Sequence, residues 1–245
     1  MEEDSNQRRS VQVSVVLPAY NEANRLEAAV AKVMEALEEF AESYEVIIAE
    51  DGSTDGTDKI AESLSEKYSC IRHLHGEKRL GRGAALKNAF KKSSGKVLVY
   101  MDVDLATDVG QLKSLVRTIE EEGFDFAIGS RMLSESKVER SLTRQIASKS
   151  YSFLVRTMLG SKVKDYQCGF KAFRREPLMR LLDEVTARHW FWDTELIVRA
   201  FRKGYTIKEI PVEWKGGRET KVKLLKDSFS MGWQVIKLWW QLKRQ

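Results

Sequence analysis

The segment Val11-Gln-Val-Ser-Val-Val-Leu-Pro18 is a short apolar run that ends at a proline. A run of this length is typical of a buried strand, and the periodic apolar pattern over residues 22–40 predicts an amphipathic helix after it. The same order recurs in a strand Glu45-Val-Ile-Ile-Ala49, a helix near residues 55–67 and a short strand over residues 70–74. Because strands and helices alternate, we expect an α/β fold whose sheet is mainly parallel, with helices on both faces.

The alternation continues through the middle of the chain. The sequence predicts a helix over residues 83–92, a strand Lys96-Val-Leu-Val-Tyr-Met101, a helix capped by Asp108 and a strand over residues 124–128. In folds of this class, ligands bind at the carboxyl ends of the strands. Several polar clusters of this chain directly follow predicted strands, so we expect them to share one site.

After residue 130 the regular alternation stops. The remaining predicted elements are a helix over residues 142–159, an extended segment over 166–173, a short helix opening at Pro177, a helix over 193–202, a strand over 207–214 and a helix over 223–243. No internal repeat or low-complexity linker divides the chain. We therefore expect a polar tail over residues 1–10, a single domain over residues 11–215, and a basic loop with an amphipathic helix over residues 216–245.

The composition is that of a globular protein. The chain has 245 residues, of which 42% are hydrophobic, and only three prolines, which excludes a disordered or collagen-like chain. Cys70 and Cys168 lie outside any metal-binding spacing, so we expect a reduced, cytoplasmic protein without disulfides. No apolar run approaches the roughly 18 residues that span a bilayer, and this predicts a soluble or peripheral protein.

Two aspartates follow the predicted strand that ends at Met101. In extended backbone, positions i and i+2 point to the same side, so the carboxylates of Asp102-Val103-Asp104 face one small volume. Carboxylate oxygens suit Mg²⁺ or Mn²⁺, which would bridge a diphosphate. The same composition is also common in turns and caps, and that alternative stays open.

Two other motifs precede this aspartate pair. Pro18-Ala-Tyr-Asn-Glu22 follows the first strand, and Glu50-Asp-Gly-Ser-Thr-Asp-Gly56 follows the second. The three motifs in this order resemble glycosyltransferase family 2, whose members have the GT-A fold and use a metal to take a sugar from a nucleotide diphosphate sugar. The resemblance extends through Gly81-Arg-Gly-Ala-Ala85, Gly129-Ser-Arg131, Gln167-Cys-Gly-Phe-Lys-Ala-Phe173, Phe191-Trp-Asp-Thr-Glu-Leu196 and Val212-Glu-Trp214.

The resemblance implies that the nucleotide-sugar site lies in the first half of the domain, residues 11–105. Asp51 would accept a hydrogen bond from the base, which does not distinguish uracil from guanine. Glu50 departs from the family's usual first aspartate. Read alone, Tyr20 suits a packed core aromatic and Glu22 an acid at a helix start. The implied nucleotide-sugar residues are Pro18, Tyr20, Glu22, Asp51, Asp102, Val103, Asp104, Arg218 and Lys221, with Asp102 and Asp104 as metal ligands.

The later motifs are most similar to those of polyprenyl-phosphate sugar synthases, particularly the dolichyl-phosphate glucosyltransferase branch. Relatives that transfer mannose usually have Gln where this chain has Ala106, and this favours UDP-glucose as the donor. The alternatives are a GDP-mannose enzyme with the same acceptor and a family member that acts on a saccharide or protein. A lipid monophosphate is largely a dianion at neutral pH, so the site needs positive charge and a metal more than a strong base.

The resemblance also implies residues for an acceptor half, residues 106–215. Arg131, Arg144 and Ser148 match positions that bind the acceptor phosphate, and Arg218 with Lys221 belongs to a segment able to close over the diphosphate. Asp193 matches a carboxylate near the acceptor, although a helix cap is an equal alternative. The implied catalytic residues are Asp104, Asp193 and Arg131.

His73 and His75 alternate on a predicted strand as a metal pair would. Because the neighbouring sequence offers no third ligand, surface or packing roles are favoured.

The last predicted helix contains Trp233, Trp239 and Trp240 beside lysines and an arginine. This pattern suits either a helix in a membrane interface or one packed on the core. We expect a peripheral protein on the cytoplasmic face of a membrane, with no nucleic-acid partner. The sequence leaves the oligomeric state open.

Overall fold

The computed structural model describes residues 11–216 and 224–244 of the chain, so the predicted polar tail lies outside it. The strands are β1 (Val13–Ala19), β2 (Tyr44–Glu50), β3 (Ile71–Leu74), β4 (Val97–Met101), β5 (Phe126–Ser130), β6 (Lys137–Glu139), β7 (Phe170–Arg174), β8 (Ile207–Pro211) and β9 (Glu213–Lys215). The helices are α1 (Leu26–Glu38), α2 (Thr57–Lys67), α3 (Arg82–Lys92), α4 (Leu112–Glu120), α5 (Leu142–Leu159), α6 (Arg175–Leu182), α7 (Trp192–Arg202) and α8 (Leu224–Lys243).

Seven strands form the central sheet in the order β3-β2-β1-β4-β7-β5-β8. All neighbouring pairs are parallel except those of β7, which runs antiparallel to both β4 and β5. A separate parallel pair joins β6 to β9. The predicted α/β fold with a mainly parallel, mixed sheet is confirmed.

The strands alternate their side chains between two hydrophobic layers. On β4, Leu98 and Tyr100 pack into one layer with α3 and α7, whereas Val97 and Val99 pack into the other with α1 and α4. Burial on both faces explains why this strand is a continuous apolar run in the sequence. Because β1 is parallel to both of its neighbours, β2 and β4, the carboxyl ends of these three strands meet at one edge of the sheet.

Most predicted elements match the observed ones, and the differences have local causes. Helix α5 has the predicted bounds. The predicted strand over residues 207–214 divides into β8 and β9, because the chain leaves the central sheet at Val212 to pair with β6. Strand β6 was not predicted because it has only three residues, and two of them are charged and exposed. As predicted, the Asp108 side chain caps the turn after it, accepting from the Gly110 N–H.

Helix α8 packs against α5 on the second half of the domain. Within residues 11–216 and 224–244, no helix is both long and apolar enough to cross a bilayer.

Candidate active site

A pocket of about 540 Å³ opens at the carboxyl ends of β1, β2 and β4, where the motif loops meet α5 and β9. Asp193 lies beneath the pocket and does not line it, whereas Arg218 and Lys221 lie outside the described residues. The predicted residues that line the pocket are Pro18, Tyr20, Glu22, Asp51, Asp102, Val103, Asp104, Arg131, Arg144 and Ser148.

The first two motif loops are bonded to each other at one wall of this pocket. The Asn21 N–H donates to Ser53 Oγ at 3.0 Å, and the Thr54 N–H donates back to Asn21 Oδ1 at 2.9 Å. Asn21 has a φ of 53°, an uncommon conformation for a residue with a side chain. The paired loops hold Tyr20 half-buried at the pocket rather than in the core.

Asp51 is buried and organises the loop that precedes α3. Its two carboxylate oxygens accept from the N–H groups of Leu80, at 2.7 Å, and Gly81, at 2.9 Å. The same loop places the Arg79 guanidinium 3.8 Å from the centre of the Tyr20 ring, a cation–π contact. Asp51 therefore positions one wall of the pocket, and each oxygen keeps a lone pair for a ligand.

Asp102 and Asp104 form the acidic end of the pocket. A β-carbon at Gly169 would lie 1.9 Å from Asp102 Oδ2, so only glycine leaves room for this carboxylate. The pKa of Asp104 is raised, first by limited hydration and then by the neighbouring Asp102 and Glu22 carboxylates. A divalent cation would relieve this repulsion, and the oxygen donors fit Mg²⁺ or Mn²⁺.

A charged network connects this acidic end to the interior. Arg82 donates to Asp102 Oδ1 from Nη2 at 2.7 Å and to Asp193 Oδ2 from Nη1 at 2.7 Å. Asp193 Oδ1 in turn accepts from the Lys171 ammonium at 2.9 Å and from the Tyr100 hydroxyl. Burial lowers the pKa of Lys171 and raises that of Asp193. Asp193 is therefore connected to the pocket by its hydrogen bond with Arg82, which lines the pocket.

The opposite, basic end contains a closed ion pair. Arg131 donates to Asp165 from its backbone N–H, from Nε at 2.7 Å and from Nη2 at 2.9 Å. Burial alone would raise the pKa of Asp165, but the charge and hydrogen bonds of Arg131 lower it to about 2. One edge of the Arg131 guanidinium is therefore already engaged.

Arg140 and Arg144 lie at the same end of the pocket. Arg140 donates to Ser148 Oγ at 2.8 Å, and its buried Nε has no hydrogen-bond partner among the described residues. Burial and the charges of Arg131 and Arg144 lower the pKa of Arg140 to about 10, so it stays cationic at neutral pH. Cations gathered without matching carboxylates indicate an anion site.

The sequence model described as Glycosyl transferase family 2 matches residues 14–182, more than half of the chain. The chain belongs to this family. The matched region includes the first two motif loops, the aspartate pair and the arginines at the basic end of the pocket.

Curated relatives agree with the family assignment. The chain is 48% identical over 234 residues to glycosyltransferase AglD of Haloferax volcanii, covering 95% of this chain but only 38% of AglD, so it spans less than half of that relative. It is 31% identical to a dolichyl-phosphate beta-glucosyltransferase of Dictyostelium discoideum, covering 96% of this chain and 76% of the relative. A yeast enzyme of the same name, from Saccharomyces cerevisiae, is 30% identical over 91% of this chain and 73% of its own length.

Solved structures share the fold at low sequence identity. Glucosyl-3-phosphoglycerate synthase from Mycobacterium tuberculosis, in complex with Mn²⁺, UDP-glucose and phosphoglyceric acid, superposes with a TM-score of 0.68 at 20% identity, covering 93% of this chain and 78% of that chain. Mannosyl-3-phosphoglycerate synthase from Rubrobacter xylanophilus has a TM-score of 0.68 at 19% identity, covering 94% and 73%.

Sequence reasoning missed several residues of the pocket in this family 2 chain, and Arg82 and Arg140 are two of them. Arg82 lies inside the quoted motif Gly81-Arg-Gly-Ala-Ala85, and its position between two glycines was the available signal. Arg140 follows the unpredicted strand β6 and precedes α5, where no periodicity marks it. Both were found only because the pocket brings them beside predicted residues.

Helices α5 and α8 of this family 2 chain expose apolar side chains. On α5, Leu142 and Phe153 are 74% and 68% exposed, on the side opposite the pocket-lining residues. On α8, Trp233 is 64% and Trp240 55% exposed, whereas Val235 is buried in the core. The C-terminal helix thus has both a core-packed face and an exposed aromatic face.

Proposed function

We propose that this chain transfers a hexose, with glucose favoured, from a UDP-sugar to a polyprenyl phosphate such as dolichyl phosphate, with inversion at the anomeric carbon. The observation that carries the proposal is the two-faced helix α5. It presents Arg144 and Ser148 to the pocket and Leu142, Ile146 and Phe153 to solvent. An acceptor with an anionic head and an apolar chain would use both faces.

The acceptor phosphate is proposed to bind between Arg140, Arg144 and Ser148. The unpartnered Nε of Arg140 supports an anion here, because a buried donor without an acceptor is costly. Trp214 lies beside this position, 5.7 Å from the Arg140 guanidinium and 5.6 Å from that of Arg131. Arg131, held by Asp165, would contribute charge from the pocket wall.

The donor is proposed to bind at the acidic end. Tyr20 and Asp51 would contact the base, and Asp102 with Asp104 would hold Mg²⁺ or Mn²⁺. When bound, that ion would supply charge stabilisation for the departing diphosphate. The relatives named dolichyl-phosphate beta-glucosyltransferase and the Mn²⁺ and UDP-glucose complex of the structural neighbour support this assignment.

The proposed reaction is a single displacement. An acceptor phosphate oxygen forms the new bond to the anomeric carbon as the bond to the diphosphate oxygen breaks, and UDP leaves with the electron pair. Because the acceptor is already a dianion, no residue has to remove a proton. Arg82, which lines the pocket beside Asp102, is placed to neutralise charge on the departing diphosphate. Asp193 is assigned to orienting Arg82.

The exposed faces of α5 and α8 are proposed to contact the cytoplasmic face of a membrane. Lys243 lies 4.0 Å from the Trp239 ring centre and Arg244 lies 5.1 Å from that of Trp240. Aromatic rings with adjacent cations are typical of helices that lie in the headgroup region of anionic bilayers.

The test is a transfer assay with labelled sugar nucleotides and matched acceptors. UDP-glucose with short-chain dolichyl phosphate should yield labelled lipid in the presence of Mn²⁺ or Mg²⁺, and EDTA should abolish it. Dolichol of the same chain length, which lacks the phosphate, is the control and should receive no sugar. Equal transfer to dolichol would contradict the acceptor, and faster transfer from GDP-mannose would contradict the donor.

The metal assignment has its own test in Asp104→Ala. The residue is exposed at the pocket, so the variant should retain its fold by circular dichroism while losing transfer. Near-native turnover of this variant in the presence of EDTA would contradict a role for the metal.

A further inference from the structure

Three side chains able to bind a metal converge at the ends of two neighbouring strands, away from the aspartate pair. Glu50 is the last residue of β2, and His73 and His75 lie at and just after the end of β3. One ligand atom from each lies within 4.8 Å of the others. The parallel register pairs Ile48 with His73, so the next alternate positions bring Glu50 opposite His75.

The third ligand is the glutamate that departs from the family's usual aspartate. The Glu50 side chain is fully buried, and its Oε2 lies 2.7 Å from His75 Nδ1. Its other oxygen accepts from the Ser53 N–H, which fixes the orientation of the carboxylate. The longer glutamate side chain thus faces the histidines from a rigid position, as a preorganised ligand requires.

The unsatisfied group of the cluster is a histidine nitrogen. His73 Nε2 is shielded from solvent and has no hydrogen-bond partner among the described residues. Burial lowers the pKa of His73, which favours the neutral imidazole that binds metals. Besides Glu50, the charged groups that act on His73 are His75 and the acids Asp58 and Glu62 of α2, so its surroundings are acidic.

We propose that Glu50, His73 and His75 bind a divalent transition-metal ion of the class that prefers imidazole, with Zn²⁺ as the probe. Two imidazoles and one carboxylate form a three-ligand set that leaves one position for water. Tetrahedral ligands lie about 3.4 Å apart at zinc bond lengths, so the 2.7 Å contact between Glu50 and His75 must open to admit the ion. The His75 side chain is 51% exposed, which leaves it room for this movement.

The ion would join the ends of β2 and β3 beside the wall of the pocket that Asp51 positions. Gly52 has a φ of 71°, and a β-carbon there would lie 2.7 Å from the Arg79 backbone nitrogen, so the loop after β3 packs directly on the turn after Glu50. That loop also contains the N–H groups bound by Asp51. A metal at Glu50, His73 and His75 would therefore stabilise the loop that covers Asp51 and places Arg79 on Tyr20.

The test measures metal binding by untagged protein in the absence of any sugar nucleotide. An Asp102→Asn, Asp104→Asn background removes the other candidate metal ligands. This background should bind one Zn²⁺ per chain by titration calorimetry, and Co²⁺ should give the visible absorption of a tetrahedral site. His73→Asn and His75→Asn should each weaken Zn²⁺ binding by at least about tenfold.

The third histidine of the chain provides a matched control. His189→Asn in the same background should leave the Zn²⁺ affinity and the Co²⁺ spectrum unchanged. Zn²⁺ should also raise the Tm of the background protein but not that of its His75→Asn variant, because a ligand stabilises only a fold that binds it.

Absence of stoichiometric Zn²⁺ binding to the background protein would overturn the proposal, as would equal binding by the His73 and His75 variants. Because no sugar transfer is measured, these outcomes are independent of whether the proposed glycosyl transfer is correct.

Discussion

Two arginines at the basic end of the pocket were predicted to bind the same phosphate, but their surroundings differ. Arg131 is 9% exposed and holds Asp165, whose side chain is 1% exposed, through both oxygens. Arg144 lines the pocket from α5 and has no ion-pair partner within the described part of the chain. A buried arginine with its own carboxylate maintains the shape of a wall, whereas an arginine without one is available to a ligand.

The same contrast applies between the two ends of the pocket. At the acidic end, Arg82 joins Asp102 to Asp193, so its charge is shared between the site and the interior. At the basic end, the Arg140 guanidinium has only the Ser148 hydroxyl as a hydrogen-bond partner among the described residues. Arg82 and Arg140 are both arginines that line the pocket, but Arg82 is paired with two carboxylates of the protein, whereas the guanidinium of Arg140 is available to pair with a substrate anion.

The largest expected difference between the two arginines is in stability. Arg131→Ala leaves the buried Asp165 carboxylate unpaired and should lower the free energy of unfolding by about 3–5 kcal/mol. Arg144→Ala removes no such partner and should change it by less than about 0.5 kcal/mol. Denaturant unfolding monitored by circular dichroism measures both. Equal stability of the two variants would show that Arg131 has no larger structural role than Arg144.

The next effect is on acceptor binding. Arg144→Ala should raise the KM for polyprenyl phosphate by about tenfold to a hundredfold, the loss of one charge-assisted hydrogen bond, with the KM for UDP-glucose unchanged. Arg144→Lys should restore it only in part, because an ammonium lacks the planar fork. Arg156→Ala, an exposed arginine of the same helix outside the pocket, is the control. Wild-type acceptor kinetics in Arg144→Ala would remove this residue from the phosphate site.

The ion pair between Arg131 and Asp165 should also affect how the free energy of unfolding depends on pH. The pKa of Asp165 is about 2 in the fold against an ordinary 3.8, so the native state binds fewer protons than the unfolded state in this range. The stabilisation is fully present above about pH 4 and is lost as the pH falls towards 2, by about 2 kcal/mol in total. Unfolding of Asp165→Asn should lack this component. If the free energy of unfolding changed with pH by the same slope in the wild type and in Asp165→Asn, the pKa of Asp165 would not be lowered as described.

The smallest expected effect concerns the outer faces of α5 and α8. Replacing Trp233 and Trp240 by serine removes exposed aromatic area and should weaken binding to anionic liposomes by roughly fivefold, without loss of Tm. Leu80→Ser removes an exposed apolar side chain from the loop before α3 and is the control. A lower Tm with unchanged liposome binding would assign the tryptophans to packing instead.

Much of the site could be predicted from the sequence because its residues follow strands. Parallel strands bring their carboxyl ends to one edge, so the loops after β1, β2 and β4 had to meet, and Tyr20, Asp51 and Asp102 line one pocket. The roles of these residues in binding stay predictions. Short elements such as β6 could not be predicted, because three residues are too few to show an apolar period and two of them are charged.

The sequence alone determined most of the strands and helices, the position of the motif loops and the family, because apolar periodicity and motif spacing are local properties of the chain. It did not determine β6 or the division between β8 and β9. The tertiary structure alone decided the partners of the charges. Arg82 meets Asp193 across 111 positions, Arg131 meets Asp165 across 34, and Glu50 meets His75 across 25. Which charges are closed into pairs, and which stay open to a ligand, depends on distances that only the packed sheet and helices establish.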